Sequence, residues 1–299
     1  MRRAAYRSDK LAWWVRRTAL LVGLSVAMGG AQVDAEPCGC AAPGRPVAMS
    51  SRFVVYSYPN GPSPESVLDA SEGLYKSVCR SLFGQEPAGC WETPCQIVLH
   101  ADRASYSRAV RGGAGSVGST WIRMVAGRIV GRRIDLLAES ADCPRALAHE
   151  LTHLALANYW PEGRPPRWLD EGLALLADGP EKQRLHWQDG QVAVEYGAMI
   201  RLNTLLTDER PLRAEQIPAF YGQSLSLVSF LLEHNGEPQQ LLRFAVQAEK
   251  VGYDRALQEC YGIAGVQALE QAWVAYVRQP RDPGRTVGIA SSLVVASAD

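Results

Sequence analysis

Apolar residues in the first half of the chain fall into short β-branched and aromatic runs, separated by amphipathic stretches. The runs predict strands at 53–58 and 96–100, then a pair of strands at 121–126 and 128–137. After the first strand, Ser63 and Pro64 open a segment in which apolar residues recur at helical spacing, which predicts a helix. A short helix is also predicted at 101–111. This alternation indicates an α/β region over residues 52–140.

Beyond residue 140 the apolar spacing is mainly that of helices. Asp142 or Cys143 caps a predicted helix that Pro144 begins and that extends to about Tyr159, and a Pro-rich loop separates it from the next. Residues 180–198 are ambiguous, and Asp189-Gly190 suggests a hairpin turn there. Five further helices are predicted, at 167–177, 221–234, 238–249, 254–261 and 266–278. The pattern as a whole predicts an α+β fold with a mainly helical C-terminal half.

The composition is that of a globular protein. The 299 residues are 47% hydrophobic, and 31 basic side chains balance 31 acidic ones. Zero formal net charge argues against nucleic-acid binding as the main role, because counterion release needs a basic surface. We divide the chain into an N-terminal subdomain at 52–178, a helical subdomain at 179–280 and a loosely held tail at 281–299.

The N-terminus has the pattern of an export signal. Basic residues precede an apolar run from Ala19 to Met28, which is shorter than the roughly 20 residues of a membrane span. Small or aliphatic residues at Val33 and Ala35 predict cleavage after Ala35, so that 1–35 is a signal peptide and 36–51 a linker. The expected location is periplasmic or extracellular, with no stable membrane insertion after cleavage. An uncleaved anchor is the alternative, and Arg16-Arg17 leaves twin-arginine export open beside the ordinary pathway.

Seven cysteines fit an oxidising compartment. Cys90 and Cys95 flank a short stretch between a helix and a strand, which suits a local disulfide, and Cys79 is a competing partner. The odd count leaves at least one thiol free or intermolecular. None of the cysteine spacings is typical of a zinc site.

Residues 149–153 read His-Glu-Leu-Thr-His within a predicted helix. Residues four apart on a helix lie one turn apart on the same face, so the imidazoles of His149 and His153 point the same way. Two neutral imidazole nitrogens so placed can bind one Zn²⁺ at about 2.0–2.1 Å. Glu150 is placed beside the metal rather than on it, where a carboxylate can accept a proton from water. The alternative interpretation is a solvated helix that carries this pattern by chance.

A catalytic zinc site needs a third protein ligand and an open position for water. The next predicted helix supplies Glu171, which lies 18 residues after His153. Asp170 is the neighbouring alternative, but helical phase brings only one of the two carboxylates to the metal. Leu169 and Leu173 mark the buried side of this helix. We choose Glu171 as the ligand and interpret Asp170 as a capping or surface carboxylate.

These segments carry a resemblance to a known family. His-Glu-Leu-Thr-His at 149–153, with Pro-Arg-Trp-Leu-Asp-Glu-Gly-Leu-Ala at 166–174, resembles the gluzincin metallopeptidases, particularly the bacterial peptidase MA-like group. The resemblance covers roughly 52–278 and is strong only over 145–176. It implies a zincin-like fold, zinc ligands at His149, His153 and Glu171, and Glu150 as the general base. The asparagine that precedes the third ligand in thermolysin is absent, so a thermolysin-type substrate preference is not implied.

A tyrosine at the start of the predicted helix 221–234 is similar to one that donates a hydrogen bond to the oxyanion in several gluzincins. The resemblance gives Tyr221 this role, and a phenol there makes physical sense because its hydrogen bond strengthens as negative charge develops. The alternative role is aromatic packing, with Tyr196 as the weaker catalytic candidate. The remaining histidines, at positions 100, 186 and 234, are interpreted as structural.

The function expected from the sequence is hydrolysis of peptide bonds by an exported, zinc-dependent peptidase with one Zn²⁺ and peptide or protein substrates. Two alternatives stay open: a non-catalytic binding or scaffold protein that retains the fold, and a zinc amidase acting on cell-wall peptides. In such folds an extended substrate commonly pairs with an edge strand. We expect that edge to be the strand at 128–137, with Ala126-Gly127 as a hinge of the cleft.

Overall fold

The computed structural model describes residues 47–110, 115–160, 164–235 and 237–280. The predicted signal peptide and the tail at 281–299 lie outside these residues, as do Cys38, Cys40 and most of the predicted linker. No helix of the described segments is long and apolar enough to cross a membrane.

Five strands form one mixed sheet in the N-terminal region. In chain order they are β1 (Ala48–Met49), β2 (Phe53–Tyr56), β3 (Cys95–His100), β4 (Gly118–Val125) and β5 (Arg128–Leu137). Their order across the sheet is β1-β2-β3-β5-β4. The pairs β2–β3 and β3–β5 are parallel, whereas β1 and β4 pair antiparallel with their neighbours. The small N-terminal sheet predicted from the sequence is therefore confirmed.

The expectation that strand 128–137 lies at the edge is wrong. This strand, β5, is interior, because β3 pairs with one side of it and β4 with the other. The edge next to the functional helix is β4. Ala126 and Gly127, with φ of 48° and 72°, form the tight turn that joins β4 to β5. Such left-handed backbone angles are typical of a two-residue hairpin turn, and neither residue lines the cleft described below.

Three helices belong to this region. Helix α1 (Pro64–Phe83) is capped by the Ser63 hydroxyl and packs Leu74 and Val78 into the core. A short α2 (Arg103–Ala109) follows β3. Helix α3 (Cys143–Tyr159) packs against β4, β5 and α1. Because α3 is covered on several sides, every residue from Ala146 to Ala157 is buried, including the polar members of the motif.

The C-terminal half is helical, as predicted, and confirms the α+β class. Its helices are α4 (Arg167–Leu175), α5 (Pro180–Glu195), α6 (Leu202–Thr207), α7 (Ile217–Asn235), α8 (Pro238–Val251), α9 (Tyr253–Tyr261) and α10 (Val266–Arg278), with a 3₁₀ turn at Ala214–Gln216. Helix α7 packs closely against both α4 and α5. It therefore joins the element that carries Glu171 to the remaining helices.

The predicted hairpin at Asp189-Gly190 is wrong, because both residues lie inside α5. Gly190 is needed for a close helix crossing rather than for a turn. A Cβ on Gly222 of α7 would lie 2.2 Å from the Gly190 nitrogen and 2.5 Å from the His186 carbonyl oxygen. Without side chains at this crossing, α5 and α7 approach until their backbones touch.

The predicted Cys90–Cys95 disulfide is also wrong. All five cysteines in the described segments are free thiols, at positions 79, 90, 95, 143 and 260. Cys95 is completely buried in β3, whereas Cys90 is exposed to solvent. The burial of Cys95 and Cys79 shows that these residues contribute to the core as small apolar side chains.

Candidate metal centre

Two neighbouring helices bring the three predicted ligands together. His149 and His153 lie one turn apart on α3, and Glu171 lies on α4. One potential ligand atom from each lies within 4.8 Å of the other two. The Nε2 atoms of both histidines are each 4.0 Å from Oε2 of Glu171. All three side chains are buried, so the cluster is shielded from bulk water on most sides.

The Nδ1 atom of each histidine has its own carboxylate partner. Nδ1 of His153 is 2.8 Å from Oδ1 of Asp170, and Nδ1 of His149 is 3.2 Å from Oδ2 of Asp178. A carboxylate accepts a hydrogen bond from a protonated Nδ1, which leaves Nε2 with a free lone pair. Carboxylate partners of this kind orient the imidazole ligands in zinc sites. Asp170 thus supports a ligand instead of capping its helix.

The donor set fits a zinc ion. Two imidazole nitrogens, one carboxylate oxygen and an open fourth position are a set found in catalytic zinc sites. In a tetrahedral site with bonds of about 2.0–2.1 Å, ligand atoms lie about 3.4 Å apart. The two separations of 4.0 Å exceed this value by about 0.6 Å, and the whole cluster, whose ligand atoms lie within 4.8 Å of one another, would contract around the ion.

Electrostatics at the centre favour a cation. Burial raises the pKa of the Glu171 carboxyl, because no neighbouring charge fully compensates its desolvation. Burial also lowers the pKa of His153, but the charge and hydrogen bond of Asp170, together with the charges of Glu171 and Glu150, more than offset this effect and raise it to about 10. For Asp178, burial is outweighed by His149 and Lys182, which hold the pKa of its carboxyl below its ordinary value. A divalent ion would stabilise these carboxylates in their charged form, a task that the protonated histidines and Lys182 perform in the metal-free protein.

Glu150 does not join the ligand cluster. Its Oε2 atom accepts a hydrogen bond of 2.7 Å from the hydroxyl of Thr120 on β4, and the carboxylate lies against Gly118 of the same strand. The side chain therefore occupies the space between α3 and the edge of the sheet, beside the ligands. Glu150 thus lies beside the three predicted ligands and is not one of the cluster.

A cleft of about 590 Å³ opens onto the cluster. One wall is formed by residues 115–119, at the start of β4, and the other by the N-terminal turns of α5. Glu150 and all three predicted ligands line it, as does Tyr221 near the beginning of α7. Burial and the charge of Glu171 raise the pKa of the Tyr221 phenol well above its ordinary value, so the hydroxyl remains a hydrogen-bond donor.

His186 also lines the cleft, although the sequence analysis treats it as structural. The close crossing of α5 and α7 brings its ring to 5.4 Å from that of Tyr221, measured between centroids. Its Nδ1 atom is 3.5 Å from Oδ2 of Asp189, a buried carboxylate on the same helix. Tyr196, the weaker candidate, lies at the C-terminal end of α5 and does not line the cleft.

The other two histidines have the positions of structural residues. His100 is buried and its Nε2 lies 2.6 Å from Oδ1 of Asp135, whereas His234 is exposed in the last turn of α7.

Sequence reasoning missed Asp178, Thr120 and His186. Asp178 and Thr120 are far along the chain from their partners, His149 and Glu150, so no local spacing indicated them. For His186 the sequence did contain a signal, namely its spacing of three from Asp189.

The family model of the peptidase MA superfamily matches residues 130–279, half of the chain. The chain belongs to the peptidase MA superfamily. The matched residues begin within β5 and extend through α10, so they include both helices that carry the candidate ligands. No curated protein matches the chain significantly.

Membership of this superfamily indicates a peptidase and hence a hydrolase that acts on peptides or proteins. Members of the superfamily are typically metal-dependent, and the cluster of His149, His153 and Glu171 is a possible metal site. The resemblance noted from the motifs is therefore confirmed at the level of the family.

Proposed function

We propose that the chain is a zinc-dependent peptidase that hydrolyses peptide bonds, with His149, His153 and Glu171 as the zinc ligands. The observation that carries the proposal is the convergence of three ligand atoms whose histidines are both fixed through Nδ1. Glu150 lies beside them, and a cleft large enough for several residues of an extended peptide leads to all four side chains. A structural zinc site would have no need of such an opening.

The proposed reaction assigns each residue a separate task. A bound zinc ion would supply a Lewis acid that polarises the scissile carbonyl and makes water more acidic. Glu150 accepts the proton from the attacking water and then delivers it to the leaving amine. Asp170 and Asp178 hold the two imidazoles in the tautomer that keeps Nε2 available.

Two donors on the opposite side of the cleft can stabilise the charge that develops on the carbonyl oxygen. The Tyr221 hydroxyl is one, because its raised pKa keeps it protonated. His186 is the second, because it lines the cleft and its ring lies beside that of Tyr221. Backbone contact between Gly190 and Gly222 fixes the relative position of the helices that carry them.

The free edge of β4 is the proposed binding site for the substrate backbone. The Leu137 amide of β5 donates to the Val117 carbonyl, at 2.8 Å. Since main-chain groups in an antiparallel pair point alternately toward and away from the partner strand, those of Gly118 and Thr120 face the free edge. An extended peptide that pairs there would pass beside Glu150.

The proposal is tested by profiling cleavage of a peptide library with purified mature chain. Activity should disappear on treatment with a chelator and return on addition of one equivalent of zinc. Cleavage that survives complete removal of metal would contradict it. A chain that binds zinc and cleaves no peptide or protein would instead be the scaffold alternative, and one that cleaves only cell-wall muropeptides would be the amidase alternative.

We also propose that the protein is exported and that its mature form begins near Glu36. The support is the basic segment, the short apolar run and the small residues that end at Ala35. N-terminal sequencing of the protein recovered from outside the cytoplasm should begin at or near Glu36. An intact Met1 would replace this proposal with the anchored alternative.

A further inference from the structure

The edge strand of the sheet touches the carboxylate of Glu150 at two points. Thr120 donates its hydroxyl hydrogen toward Oε2 of Glu150 at 2.7 Å, and the same hydroxyl lies 3.2 Å from the Glu150 main-chain oxygen. Two residues earlier, Gly118 leaves the space that the carboxylate occupies. A Cβ at Gly118 would lie 2.7 Å from Oε1 and 2.8 Å from Cγ of Glu150.

These contacts make the two carboxylate oxygens different. Oε2 already accepts a hydrogen bond from a buried hydroxyl, whereas Oε1 lies against the glycine that begins β4 and lines the cleft. A carboxylate that is held through one oxygen keeps the other in a fixed direction for proton transfer. The proton acceptor of a general base must lie within hydrogen-bond distance of its proton, so a fixed direction matters.

We infer that Thr120 is the positioning residue for Glu150. Thr120 holds Oε2, so that Oε1, which lies in the space beside Gly118, is the atom that accepts the proton from water. This inference rests on the proposed function, in which Glu150 is the base. The Thr120 hydroxyl bonds to Glu150 and is separate from the Thr120 main chain, which faces the proposed substrate. It acts through Glu150.

The edge position of β4 strengthens the inference. An edge strand is paired on one side only, so its distance from α3 depends on what ties the two together. The Thr120 hydroxyl contacts both the side chain and the main chain of Glu150, which ties the proposed substrate-binding strand to the helix that carries the base. The attacking water, the scissile carbonyl and the Glu150 carboxylate would then keep fixed relative positions when a peptide pairs with β4.

The test compares Thr120→Val, which removes the hydroxyl at constant shape, with Thr120→Ser, which restores it. Thr152→Val is the matched control, because the Thr152 hydroxyl is buried on α3, the helix of Glu150, and within the described segments it bonds to the Ala148 carbonyl rather than to Glu150. Each zinc-loaded variant is assayed for kcat and KM on a peptide substrate, its zinc affinity is measured by chelator competition, and crystal structures of wild type and Thr120→Val are compared. Thr120→Ala replaces Thr120→Val if the latter does not fold.

Thr120→Val should lower kcat by tenfold or more, since displacement of a catalytic group by about 1 Å can cost on the order of 100-fold. KM and zinc affinity should change by less than about threefold, Thr120→Ser should recover most of kcat, and Thr152→Val should resemble wild type. The crystal structure of Thr120→Val should show the Glu150 carboxylate moved away from Gly118. An unmoved carboxylate overturns the inference, as does a kcat within about threefold of wild type or a serine variant that does not recover.

Failure of the proposed function has a different signature. If wild-type protein cleaves no peptide, the peptidase assignment fails, while the position of Glu150 in the two crystal structures still decides whether Thr120 holds it. If wild type is active and Thr120→Val is equally active, the peptidase assignment stands and the positioning role fails.

Discussion

Zinc binding should release a proton from His153, and Asp170 should be the reason. The two side chains are buried together, with Nδ1 of His153 2.8 Å from the carboxylate. Burial alone would lower the pKa of His153, but Asp170, with smaller contributions from Glu171 and Glu150, raises it to about 10. In the metal-free protein His153 therefore carries an extra proton at neutral pH, and zinc has to displace this proton to reach Nε2.

The size of the effect follows from the pKa. At pH 8, a group with a pKa of about 10 is about 99% protonated, whereas a histidine at its ordinary pKa of about 6.5 is about 3% protonated. Asp170→Asn keeps the shape of the side chain and removes its charge, so the pKa of His153 should fall, because the strongest influence that raises it is lost. Wild type should accordingly release up to one more proton per zinc than the variant at pH 8.

Isothermal titration calorimetry in two buffers of different ionisation enthalpy counts these protons. Water released or ionised at the metal contributes to both proteins, whereas the Glu171 carboxyl is coupled to Asp170 and His153, so the measured difference is that of the coupled group. Asp178→Asn is the control, because it removes a second carboxylate of the site without touching His153. Wild-type zinc affinity should also rise by up to about tenfold per pH unit between pH 7 and 9, more steeply than that of Asp170→Asn.

A difference in released protons below about 0.3 between wild type and Asp170→Asn would refute this reasoning. The same conclusion would follow if Asp178→Asn reduced the proton count as much as Asp170→Asn does. Either result would mean that the His153–Asp170 pair does not hold the proton.

Three further predictions concern the site and its framework. Tyr221→Phe should lower kcat by roughly 100-fold with little change in KM, a typical cost of losing one oxyanion donor, and steady-state kinetics that show less than about threefold would leave the ring as a packing residue. Glu171→Ala should abolish tight zinc binding, whereas Asp170→Ala should weaken it by about 10–100-fold, and a chelator-competition assay giving the reverse order would contradict the ligand assignment. Gly222→Ala should lower the free energy of unfolding by about 1–3 kcal/mol or more in urea denaturation, because its Cβ would meet the backbone of α5. The control Gly73→Ala is exposed in α1 with open space around it and should not destabilise the protein. Equal effects of the two changes would refute the packing argument.

The residues that could be predicted from sequence are those whose geometry is local. The spacing of His149 and His153 determines their common direction once the segment is helical, and neighbouring Glu150 is excluded from the same face. Glu171 needed the additional step of packing one helix on the next, and it was chosen over Asp170 by helical phase; the resemblance of the surrounding motif implies the same ligand. The α+β class followed from the change of apolar spacing near residue 140.

What the sequence did not predict depends on contacts between distant elements. Chain order placed strand 128–137 nearest to the motif helix, but the order of strands in the sheet is set by pairing with β3, which no local pattern encodes. Gly190 has the local signature of a turn, and its real role appears only when Gly222 is seen against it. The same holds for Thr120, whose partner Glu150 is 30 residues away along the chain.

In the proposed reaction Glu150 activates water at a zinc site that His149, His153 and Glu171 form. Glu150→Gln keeps the size of the side chain, leaves the three ligands intact and removes the base. The decisive measurement is the zinc content and the kcat of this variant on a peptide that wild type cleaves, made on the same preparation. The account predicts one zinc per chain and a loss of kcat of at least about 100-fold. A variant that binds zinc and retains wild-type turnover would contradict it.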